Sequence, residues 1–119
     1  MAQWYSRPVV AVADLERALS FYLGLFGFRE DWRFEEDGAS IVQVSRQGCE
    51  LILSNQWPER AGAARQFVSL DESDFFAMRE ETKAKGISRE DRWGYDLVVV
   101  ADPDGNELWF PYPASEKSS

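Results

Sequence analysis

The chain contains no histidine and a single cysteine, Cys49. The first absence removes the commonest general base near neutral pH and the commonest transition-metal ligand together. The second excludes an intramolecular disulfide and a cysteine-based metal cluster, and leaves Cys49 to be read as a small buried strand residue. No apolar run approaches the roughly 18 residues of a membrane span, and the opening MAQWYSRP lacks the apolar core of a secretory signal. A soluble, cytoplasmic protein with no membrane partner is the expectation. Positive charge is also scarce: 13 Lys and Arg against 21 Asp and Glu give a net charge of −8. That balance repels phosphate backbones, which argues against nucleic acid as a partner, and it suits cationic or neutral ligands, although acidity also serves solubility alone. Glycine-rich phosphate loops, nucleophile elbows and paired-cysteine motifs are missing as well. The acids of DPDGNE (102–107) suggest a calcium loop, but Gly105 stands fourth in a hairpin where an EF-hand needs glycine sixth.

Apolar residues and aromatic rings are plentiful. At 119 residues and 45% hydrophobic the chain supports one compact domain with a real core. Its elements repeat. RPVVAV (7–12) reads as a strand, with Asp14 as N-cap for a helix whose apolar face is Leu15, Ala18, Leu19 and Tyr22 and which Gly27 stops. Strands follow at 28–35, 40–44 and 49–53, separated by Asp37-Gly38 and Gln47-Gly48 turns. NQWPERAGAA (55–64) has linker composition. After it come a strand at 66–70, a helix at 73–85 with Phe75, Phe76, Met78 and Thr82 inward, and strands at 87–92, 95–101 and 107–110. Both halves read β, α, β, β, β. The expected fold class is therefore α+β, with one βαβββ module at about 7–55, a linker at 56–64 and a second module at about 65–111. A single module leaves sheet edges and one sheet face uncovered, so two modules or two chains are expected to pair.

The closing hairpin WGYDLVVVADPDGNELWF (93–110), the segment VADLERALSFY near the N-terminus and the doubled module together resemble the vicinal oxygen chelate superfamily of glyoxalases, bleomycin resistance proteins and extradiol dioxygenases. The likeness spans about residues 7–111. Metal-dependent members of that superfamily hold a divalent ion on a concave sheet, typically with His and Glu near the first and last strands of each module. On those motifs this chain places Arg7, Arg65 and Trp109, with Gln66 beside Arg65; only Glu50 could match a ligand carboxylate, and Glu107 falls out of phase. Two arginines would oppose a cation by Coulomb repulsion. The resemblance thus implies the metal-free, antibiotic-binding branch, with no cofactor and no catalysis: a homodimer whose groove sequesters a small aromatic antibiotic, with bleomycin as the leading candidate. Such a ligand calls for aromatic faces and negative charge. Trp93, in the WG pair that resistance proteins of this type carry in the last hairpin, is the first candidate contact, with Trp109, Trp32, Phe34, Tyr95, Phe67, Glu50 and Arg65 completing the ligand-binding set. Core packing remains the competing reading for Trp32 and Phe34, as does turn packing for Trp93. A metal-free lyase or isomerase, a dioxygenase-related enzyme and a ligand-sensing domain stay open as alternatives.

Overall fold

The computed structural model describes residues 4–113. Two four-stranded sheets form, each from one half of the chain. The first has the order β1-β4-β3-β2 and is built from β1 (Val9–Ala11), β2 (Arg29–Glu36), β3 (Ala39–Arg46) and β4 (Cys49–Ser54). The second has the order β5-β8-β7-β6 and is built from β5 (Arg65–Phe67), β6 (Ser88–Trp93), β7 (Tyr95–Ala101) and β8 (Glu107–Pro111). In each sheet the first strand runs parallel to the last and the other pairings are antiparallel. This is the expected α+β architecture of two βαβββ units.

The helices follow their caps and apolar spacing. Asp14 accepts a hydrogen bond from the Arg17 amide at 3.1 Å and opens α1 (Leu15–Leu19). The helix then widens into a π-helical turn, Ser20–Leu25, in which the Phe26 amide reaches back to Phe21 O at 2.9 Å. The sequence pattern had suggested one regular helix here. The wider turn carries both Phe21 and Tyr22 into the core, where their rings meet edge to face at 5.2 Å. Asp71 likewise caps α2 (Glu72–Ala84), which buries Phe75, Met78 and Thr82.

One core joins the units. Val10, Val42, Val44, Leu51 and Leu53 of the first sheet, Val12 just after β1, and Val98, Val100, Leu108 and Phe110 of the second all join the buried cluster that packs on the helices. Each large side chain buried there contributes about 1.5–3 kcal/mol. The turn from Asp102 to Asn106 ties the halves together by polar contacts. Asp102 accepts from the buried Tyr22 hydroxyl at 2.9 Å, and the Asn106 side chain donates to Ala11 O while accepting from the amides of Gly62 and Ala64. Gly62 sits at φ +92°, and a Cβ there would overlap the Asp104 carbonyl, so only glycine allows this approach. The acids of DPDGNE therefore anchor the joint. No helix among the described residues is long and apolar enough to cross a membrane.

Candidate functional site

Strand alternation gives each sheet a second face, turned away from the helices, and this face carries the chemistry. On the second sheet Phe67 (β5) lies opposite Trp109 (β8), Trp93 (β6) opposite Tyr95 (β7), and Arg65 opposite Glu107. The four rings cluster. Trp93 and Trp109 meet at 5.3 Å between centroids, Phe67 and Trp93 at 5.9 Å, and Phe67 and Tyr95 at 6.3 Å. Trp93 remains 59% exposed and Phe67 45%, so these rings form a surface and fill no core. Trp93, assigned to a turn from the sequence, is the last residue of β6, and its pairing with Tyr95 aims its ring at this cluster.

Glu107 lies beneath the rings. It pairs with Arg65 at 3.1 Å and Arg89 at 3.2 Å, and accepts from the Trp109 indole N–H at 2.8 Å. Burial alone would raise its pKa, but the indole N–H and the two guanidiniums outweigh that and hold it below its ordinary value. Being two residues before Trp109, Glu107 shares its face, so the apparent mismatch of phase in the sequence disappears. Arg89 was not singled out from the sequence, although Arg89, Asp91 and Trp93 at alternate positions of β6 carry the signal.

The first sheet is arranged differently. Trp32 lies opposite Gln43 and Phe34 opposite Ile41, on the face away from the core. Both are exposed, at 38% and 53%, which removes the core-packing reading. A break in register between Glu30 and Trp32 turns Asp31 onto the same face. Asp31 accepts from Gln43 Nε2 and Ser45 Oγ, each at 2.9 Å, and these bonds together with Arg29 lower its pKa. Arg7 donates to Gln43 Oε1. Glu50, opposite Ser45, carries on Oε1 the one buried side-chain polar atom without a hydrogen-bond partner among the described residues.

The candidate residues thus divide into two sets. Trp93, Trp109, Tyr95, Phe67 and Arg65 converge on the second sheet, while Trp32, Phe34 and Glu50 occupy the corresponding face of the first. The positions that the resemblance assigned to a metal, Arg7, Glu50, Arg65 and Trp109, supply two guanidiniums, one carboxylate and an indole. That donor set does not fit a divalent ion, and among the described residues no three His, Cys, Asp or Glu converge on a possible metal site. Away from both faces, Cys49 is half-buried beside Phe26, Phe28 and Phe110, where burial raises its thiol pKa.

Solved structures share this architecture. An antibiotic-binding protein from Streptomyces sp. CB03234 is 24% identical, with a TM-score of 0.74 over 96% of this chain and 99% of its own. The bleomycin-binding protein of bleomycin-producing Streptomyces verticillus, solved with copper(II)-bleomycin, is 20% identical, with a TM-score of 0.71 over 94% and 98%. The Leishmania major glyoxalase I, an enzyme, is 15% identical, with a TM-score of 0.62 over 92% and 86%. At these identities the likeness is one of fold. No curated protein matches the chain. The family model for the superfamily, however, matches residues 4–110, nearly every strand and both helices described above, and so the chain belongs to the glyoxalase/bleomycin resistance protein/dioxygenase superfamily.

Proposed function

We propose that the chain binds and sequesters a small aromatic molecule of the antibiotic class, without performing chemistry on it. The observation that carries this reading is the ring cluster of the exposed Phe67, Trp93 and Tyr95 with the half-buried Trp109, on the sheet face turned away from the helices among the described residues. Four rings around one shallow depression offer stacking surfaces to a flat ligand. Homodimerisation belongs to the same proposal: a second copy would cover the faces that each chain leaves open, and the ligand would lie in the groove between them. Bleomycin is the first ligand to test, because structures of the same fold bind it.

The test is a titration of the purified protein with metal-free and copper-loaded bleomycin, following quenching of tryptophan fluorescence, with molar mass measured in parallel. Saturable quenching at about one ligand per chain in a particle of twice the chain mass supports the proposal. Absence of quenching at high micromolar drug removes bleomycin, and a monomeric mass at all concentrations removes the intersubunit groove.

A further inference from the structure

The two sheets match residue for residue across their open faces. Leu51 and Leu53 enter the core from β4 as Leu108 and Phe110 do from β8, which makes Glu50 the counterpart of Glu107 and Ile52 that of Trp109. Val9 lies opposite Ile52 as Phe67 lies opposite Trp109. Carrying the Val9–Ile52 register back by two residues, beyond the start of β1, sets Arg7 against Glu50, as Arg65, two residues before Phe67, pairs with Glu107. The second pair is closed at 3.1 Å. In the first, Arg7 turns to Gln43 and Glu50 Oε1 keeps no partner.

Leaving a buried carboxylate oxygen without a donor is unfavourable, so an arrangement that retains one is suited to receiving a donor from outside. Its neighbours on the same face already have partners. Asp31 is held by Gln43, Ser45 and Arg29, and Glu107 and Asp91 on the other sheet are held by arginines. Trp32 is exposed on the face that Glu50 shares, two strand spacings or about 10 Å across the sheet.

We propose that Glu50 is the polar anchor of the ligand site, accepting a charge-assisted hydrogen bond from a cationic N–H group carried by the aromatic ligand. This rests on the aromatic-binding function proposed above and narrows it to planar aromatics with an ammonium, amidinium or ring N–H cation. The net charge of −8 draws such a ligand in, and the one buried side-chain oxygen without a partner among the described residues fixes where its donor lands.

The test uses proflavine, a planar cation with N–H donors, and xanthone, a neutral planar ring system with none. Each is titrated into wild type, Glu50→Gln and Glu80→Gln by tryptophan quenching, and the molar mass of each protein is measured. Glu80, on the exposed side of α2, controls for the loss of one negative charge elsewhere. Wild type is expected to bind proflavine at least about tenfold more tightly than xanthone, Glu50→Gln to lose about tenfold for proflavine only, and Glu80→Gln to change neither. Unchanged proflavine affinity in Glu50→Gln, or an equal loss for both probes, overturns the anchor. A Glu50→Gln protein that changes its molar mass while keeping its proflavine affinity assigns the oxygen to a second copy and overturns it too. Both probes binding wild type equally overturns the anchor alone, whereas neither binding overturns the anchor and the aromatic-binding function together.

Discussion

On β8 the Glu107 carboxylate is held by Arg65, Arg89 and the Trp109 indole; on β4, at the matching register, Glu50 leaves one oxygen unpartnered. The difference comes from the strands around each acid. Arg65 is the first residue of β5 and the ladder pins it opposite Glu107, whereas Arg7 precedes β1 and is free to reach Gln43. Arg89 lies across β7 from Trp109, and the corresponding place in the first sheet, across β3 from Ile52, is taken by Trp32. One repeated scaffold therefore carries a closed, charge-balanced floor under rings on one sheet and an unpartnered acceptor on the face that Trp32 and Phe34 share on the other.

The largest effect on this comparison should come from the joint that unites the halves. Gly62→Ala introduces a Cβ against the Asp104 carbonyl at a positive φ, and a loss of about 2–4 kcal/mol is expected in urea unfolding. A change within about 0.5 kcal/mol would mean that the turn does not bind the two units tightly. Next in size, Glu107→Gln strips the charge that Arg65 and Arg89 share, with an expected loss of about 2 kcal/mol, discounted from the fully buried case because both arginines are about half exposed.

The same acid sets a pH dependence. Its pKa is lower in the folded state than its ordinary 4.5, so its contribution is complete above that value and is lost as pH falls through the folded pKa. Stability should therefore decline below about pH 4.5 in wild type and decline less steeply in Glu107→Gln, which unfolding curves from pH 3 to 7 can check.

Glu50→Gln should move the other way. Glu50 is half-buried and one of its oxygens has no partner, so replacing its carboxylate by an amide is expected to raise the stability of the unliganded protein by no more than about 1 kcal/mol, visible as a raised urea midpoint at constant slope. A destabilised Glu50→Gln would place a donor on that oxygen in the unliganded protein. The smallest effect on folding belongs to Trp93→Ala. Its ring is 59% exposed, so stability should fall by no more than about 1 kcal/mol while affinity for an aromatic ligand falls at least about tenfold. Affinity equal to wild type would remove Trp93 from the site.

Much of the framework was legible in the sequence because it rests on local periods. Leu15, Ala18, Leu19 and Tyr22 announced a helical face, and LVVV with DPDGN announced the closing hairpin. Alternation at Trp32 and Phe34 put both rings on one face, but which face depended on register with β3. Arg89 and Asp31 escaped notice for two reasons. Besides Asp91 on its own strand, Arg89 pairs with Glu107 on β8, beyond β7, and Asp31 joins the open face only because the bulge breaks the two-residue period.

By itself the sequence determined the order of elements, the doubled βαβββ pattern and a chemistry without histidine, because residue type and short-range spacing are enough to specify caps, turns and faces. Only the tertiary structure decided that Phe67, Trp93, Tyr95 and Trp109 form one surface, that Arg65 closes on Glu107, and that Arg7 leaves Glu50 open. Those outcomes depend on strand order and register, which bring together residues as distant in the chain as Arg7 and Gln43. Whether two charges meet across a sheet is settled by a few ångströms that no local pattern encodes.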